Sequence, residues 1–247
     1  MELVLGGCVI VLASFLAGAT GFGFALISTP LLLLIGFPLE FVVTANLTLT
    51  LITRIPVSYR FRTHVSLRRA LMLILGSIPG FYLGARVLAS VDASAINVAA
   101  GVAVMVVALL LGFSASKPPP LAIPGAPVAA GLAGGFLGAT TSLSGVPPVL
   151  LLAHEKAKPR SFLADLAVYF VFSSGIALIL LATQGALAAQ ALFPASLFWL
   201  PGALLSTFLG TIVGPRLPEK AFRYFTLLLV FAAGGVTVFM AWPKLVV

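Results

Sequence analysis

Residues 17–34 read AGATGFGFALISTPLLLL, and residues 134–151 read GGFLGATTSLSGVPPVLL. Each is a small-residue, glycine-rich turn that runs into a short apolar stretch interrupted by proline. Placing Pro30 on Pro147 also places Gly18 on Gly135, Gly21 on Gly138 and Leu26 on Leu143. Further along, Ala45-Asn46-Leu47 corresponds to Ala164-Asp165-Leu166 after a short slip in register. Gly80-x-x-x-Gly84-x-Arg86 then matches Gly210-x-x-x-Gly214-x-Arg216. One such match arises by chance in an Ala/Gly/Leu-rich chain, but three in the same order and at similar spacing indicate a duplication. The first repeat covers 1–113 and the second 128–247, with a proline-rich linker, SASKPPPLAIPGAP, at 114–127.

The solvent of this duplication is lipid. Of 247 residues 61% are hydrophobic and 8% charged, too few charges to cover a soluble surface. Apolar runs of membrane-crossing length fall at 3–19, 41–58, 69–90, 93–113, 161–183, 191–214 and 221–242. Phe24–Gly36 and Pro147–Ala153 are apolar but short, and read as half-helices of re-entrant hairpins or as broken second limbs. The expected fold class is an all-α polytopic membrane protein of about 8–10 membrane segments. Each repeat is then a re-entrant or broken hairpin plus three transmembrane helices. An odd number of crossings per repeat turns the second upside down relative to the first. Such inverted-topology repeats characterise secondary transporters, whose substrate sites lie where the broken segments meet.

Charge gives the orientation. Arg54, Arg60, Arg62, Arg68 and Arg69 crowd one connection, and the positive-inside rule puts loop 54–69 in the cytoplasm. With 128–153 entering and leaving on one side, twelve of the fourteen Lys and Arg are cytoplasmic, Arg86 and Lys244 being the exceptions. This points to a multi-pass protein of a prokaryotic-type inner (plasma) membrane. The net charge of +8 is accounted for by these loops, so no nucleic-acid partner is expected. The N-terminal segment carries Glu2 and no basic stretch, and reads as a first span. Trp199, Trp242, Tyr59 and Tyr224 read as interfacial anchors.

Several chemistries lack their residues. Cys8 is the single cysteine, and His64 and His154 are the only histidines, both in charged loops. No metal site and no cofactor is expected. No Gly-x-x-x-x-Gly-Lys-Ser/Thr loop occurs, so this chain does not hydrolyse ATP. An intramembrane enzyme would need a nucleophile with its base, and Cys8 and Ser144 have no such neighbour in the sequence. The chain is therefore expected not to be an enzyme. A transporter and an anion channel built on the same hairpins both remain open.

The glycine-rich turn Gly18-Ala-Thr-Gly21-Phe-Gly23 leading to Pro30, its degenerate copy ahead of Pro147, and the two Gly-x-x-x-Gly-x-Arg helix ends resemble the sulfite exporter TauE/SafE family over about residues 5–242. The resemblance implies a membrane transporter whose cargo is sulfite, a sulfonate or a related small anion.

A dehydrated anion can be held by unsatisfied N–H groups at a helix N-terminus, where glycine permits close approach and proline needs no bond of its own. Ser28-Thr29-Pro30 and Ser144-Gly145-Val146-Pro147 have the composition of such helix starts. The candidate substrate-binding residues are Thr20, Gly21, Gly23, Ser28 and Thr29 in the first copy. In the second they are Thr140, Thr141, Ser142, Ser144 and Gly145. Asp165, and Asn46 opposite it in the other repeat, are candidates for coupling to H+ or Na+, because an ionisable group inside a span is costly. The alternative for Asp165 is a pairing with Arg160 near the interface. Arg86 and Arg216 either snorkel at helix ends or attract anions at the two vestibules. The expected partners are a small anionic substrate and the lipid bilayer, and a homodimer is compatible with the sequence.

Overall fold

The computed structural model describes residues 2–88, 98, 101–102, 105–106, 108–109, 125–141, 144–183, 188 and 191–246. Among them the regular structure is helical: α1 (Glu2–Thr20), α2 (Phe24–Ile35), α3 (Leu39–Arg60), α4 (Leu67–Leu88), α5 (Ala126–Thr141), α6 (Val146–His154), α7 (Pro159–Thr183), α8 (Leu197–Val213) and α9 (Glu219–Val246). Short 3-10 turns occupy Arg62–His64 and Gly214–Arg216. Among the described residues five segments are long and apolar enough to cross a membrane: Glu2–Thr20, Glu40–Arg60, Pro159–Thr183, Phe193–Arg216 and Lys220–Met240. Most of the expected span at 93–113 and most of the linker lie outside the described residues.

The two short apolar stretches are half-helices. α2 has 12 residues and α6 has 9, about 18 and 14 Å of rise, against a hydrocarbon core about 30 Å thick. Both end in the same way. Phe37 and Gly36 donate to the carbonyls of Leu32 and Leu33, both at 3.1 Å; Ala157 and Lys156 donate to Leu152 and Ala153, at 3.0 and 3.2 Å. This is the Schellman closure, with Gly36 at φ 109° and Lys156 at φ 52° in the left-handed position.

Two expectations about boundaries are corrected. Ser28-Thr29-Pro30 does not start a helix: α2 begins at Phe24, after Gly23, and Pro30 lies inside it. A left-handed Gly23 ends the turn earlier than proline could, and Pro30 then leaves the carbonyl of Leu26 without its usual donor. Arg54 is not in a loop either. It lies in α3, 2% exposed, and the connection to α4 spans only 61–66.

The chain divides into two compact units, Met1–Val65 with Pro159–Leu217, and Ser66–Lys158 with Pro218–Val247. Each unit draws helices from both halves of the sequence. The first contains α1, α2, α3, α7 and α8; the second contains α4, α5, α6 and α9. In the first, α1 packs along α8 and α3 along α7. Val57, Phe61, Leu163, Ala164 and Ala167 form the buried contact between α3 and α7. In the second, α4 packs along α5.

The α1–α8 and α4–α5 pairs share one register. A Cβ on Gly18 would run into the carbonyl of Thr207, one on Gly210 into that of Phe15, and one on Gly214 into that of Ala19. In the second unit Gly135 meets the carbonyl of Ser77, Gly80 that of Leu132, and Gly84 that of Phe136. Adding 117 to the α1 numbers and subtracting 130 from the α8 numbers converts the first set into the second. The glycines let two backbones touch where lipid supplies no hydrophobic drive. Trp199 closes the other end of the first seam. Its indole lies against Gly6 and donates from Nε1 to the Leu3 carbonyl at 2.8 Å. At 2% exposure it is a core residue and not the interfacial anchor expected of it, whereas Tyr59 and Tyr224 are exposed.

Candidate functional site

The first glycine turn is built from α1 outward. At the end of α1 the Thr20 hydroxyl is shared between the carbonyls of Leu16 at 2.8 Å and Phe22 at 3.0 Å, so it ties the helix to the bend. Gly21 (φ 86°) and Gly23 (φ 89°) have left-handed backbones, where a side chain is strained. Their surroundings differ. A Cβ on Gly21 would press on Leu163 and Leu166 of α7 at 3.2 Å, whereas nothing lies within 4 Å of one on Gly23. The first-turn amides of α2 follow that open position. Ile27 is the first to find a helical partner, the Gly23 carbonyl at 3.3 Å.

One turn into α2 a polar cluster crosses to α3. The buried Ser28 hydroxyl lies 2.8 Å from the carbonyl of Phe24 and 2.9 Å from Oδ1 of Asn46, and it donates to both in a shared bond. Nδ2 of Asn46 donates to the Thr29 hydroxyl at 3.0 Å. Asn46 is thereby placed with Ser28 and Thr29, its amide bridging two adjacent α2 hydroxyls. The Thr29 oxygen accepts, which leaves its own proton to donate.

The second copy lies in the second unit. Thr140 and Thr141 end α5, and Ser142 lies outside the described residues. Ser144 follows, and its Cβ is 2.8 Å from the place a Cβ on Gly138 would take. Buried Gly145 caps α6, with proline in the first turn, as expected for this copy. Asp165 is fully buried in α7, between the two leucines that face Gly21; Arg160, on the same helix, is exposed. Arg86 is exposed near the end of α4, its guanidinium 4.9 Å from the Tyr82 ring centroid. Arg216 is exposed in the turn after α8.

Two charged features escaped the sequence reading. Arg69 at the start of α4 pairs with Glu155 at the end of α6 at 3.1 Å. Arg54 donates from Nη2 to the Ala17 carbonyl at 3.0 Å. Its position between Thr53 and Ile55 in an apolar run was the available signal, outweighed by counting it with the nearby loop cations.

The helices of membrane-crossing length and the buried polar hairpin define a multi-pass membrane protein. The chain belongs to the TauE/SafE sulfite exporter family, whose model, Sulfite exporter TauE/SafE, matches residues 7–237. No curated protein and no solved structure matches the chain.

Proposed function

We propose that this protein is a secondary transporter that moves a small anion, sulfite, a sulfonate or a related organosulfur or carboxylate anion, by alternating access. The observation that carries the reading is the hairpin of α1 and α2 in a chain of this family. A half-helix starts inside the protein at an open left-handed glycine, with polar groups arranged beside it. The first-turn amides of α2 and the Thr29 hydroxyl are the donors to the anion. Ser28 and Asn46 position Thr29; Thr20 and Gly21 shape the bend. Ser144 and Gly145, with Thr140, Thr141 and Ser142, form the corresponding binding segment of the second repeat.

The shared register of the α1–α8 and α4–α5 seams supports two equivalent repeats of inverted topology, which exchange roles as access alternates. Asp165, an acid fully buried within a span, is the candidate for coupling to protons or sodium. Arg60, Arg62, Arg68 and Arg69, around the 61–66 connection, support a cytoplasmic position for it in an inner membrane by the positive-inside rule.

Sulfite flux in proteoliposomes tests the reading, with imposed proton or sodium gradients and with counterflow. Saturable uptake, trans-stimulated counterflow and a gradient dependence lost in Asp165→Asn are expected. Unsaturable flux without counterflow would make the protein a channel instead.

A further inference from the structure

We propose that Arg54 is the counter-charge for the transported anion, an assignment that rests on the transporter reading above. Arg54 is 2% exposed, and among the described residues a single hydrogen bond, from Nη2 to the Ala17 carbonyl, holds its guanidinium. The Gly21 amide donates to that same carbonyl at 2.8 Å. The cation is thus anchored one turn before the bend that opens α2. Its Cζ lies 5.8 Å from the Phe170 ring centroid. Nε and Nη1 are buried and have no acceptor among the described residues, and no described carboxylate forms an ion pair with Arg54.

A clamp between α1 and α3 explains Nη2 alone. It leaves the Nε–H and both Nη1 protons unexplained, in a buried cation whose desolvation is costly when uncompensated. A bound anion supplies both the acceptors and the opposite charge. The planar guanidinium selects polyatomic oxoanions, whose oxygens take parallel hydrogen bonds, over a spherical halide. The ligand class is therefore a small sulfur oxoanion or carboxylate, held by Arg54 beside the α1–α2 bend.

The full chain in detergent is titrated with sulfite, sulfate, acetate and chloride, and thermal unfolding is followed with and without each anion. Sulfite is expected to stabilise the wild type and chloride not to. In R54M the sulfite dissociation constant is expected to rise by about 30-fold or more. Its melting temperature without anion stays at or above the wild-type value, because an unpaired buried charge has gone. R54K, a point charge without the planar fork, is expected to lose about tenfold in affinity. R54M that binds sulfite like the wild type overturns the assignment. So does R54M that melts lower without anion yet still binds it, the signature of a clamp. Should R54M not fold, R54K decides: unchanged sulfite affinity overturns the proposal, and weakened affinity at an unchanged melting temperature supports it. A wild type that binds none of the anions overturns the transporter reading and Arg54 with it. Wild-type binding alongside an indifferent variant removes Arg54 alone.

Discussion

Asn46 on α3 holds Thr29 on α2 through a 3.0 Å hydrogen bond to the threonine oxygen, while its other amide atom takes the Ser28 hydroxyl at 2.9 Å. The three side chains should separate by role. Asn46→Ala takes away the side chain that joins the two hydroxyls, leaving the buried Ser28 only the Phe24 carbonyl, and is expected to destabilise by about 1–3 kcal/mol. Thr29→Val keeps the shape and removes the free proton. Its expected effect is a roughly tenfold rise in KM for sulfite, with a smaller change in melting temperature than Asn46→Ala causes. Equal effects on KM from both variants would remove the distinction between positioning and binding.

Gly21 and Gly23 share a backbone conformation but not an environment. Alanine at either position should lose about 1–2 kcal/mol to the left-handed backbone. Gly21→Ala should lose more, since it also presses on Leu163 and Leu166, while Gly23→Ala meets open space. Thermal unfolding of the two variants side by side checks the order. The reverse order would mean that the space beside Gly23 is filled when the protein folds.

Gly18→Val and Gly135→Val push against the carbonyls of Thr207 and Ser77 at equivalent points of the two seams. Both are expected to lower the yield of monodisperse protein severely and to a similar degree, as read by size-exclusion chromatography. One tolerated and one ruinous substitution would break the equivalence.

The Arg69–Glu155 pair is partly exposed, at 23% and 27% for the two side chains. A double-mutant cycle with Arg69→Gln and Glu155→Gln is expected to give a coupling of about 0–1 kcal/mol, falling with added salt. A coupling several times larger, insensitive to salt, would identify a structural lock.

The glycine and proline punctuation made both half-helices legible, because those residues constrain their own backbone. Pro30 shows the limit of the cue: proline marks an irregular helix, but Gly23 decides where the helix starts. Charge counting groups Arg54 with the loop cations because it follows sequence distance, whereas its burial depends on Ala17 and Phe170 in other helices. The burial of Trp199 is hidden from the sequence for the same reason, since Gly6 and Leu3, which receive the indole, are far away in the chain. The candidate residues of the first hairpin were visible one by one; the bridge from Asn46 to Ser28 and Thr29 required the α2–α3 packing. The pairing of α1 with α8 and α4 with α5 was hidden, because a small residue reveals that something approaches but not what.

That interleaved pairing bears on how the chain is made. The Trp199 indole closes on Leu3 across a separation of 196 residues. At ribosomal speeds of about 5–20 residues per second, α1 precedes its partner into the membrane by roughly 10–40 s. Over that interval its glycine face lacks the α8 backbone against which it packs. Assembly of the first unit therefore waits for α7 and α8, and residues 1–65 do not complete that unit by themselves.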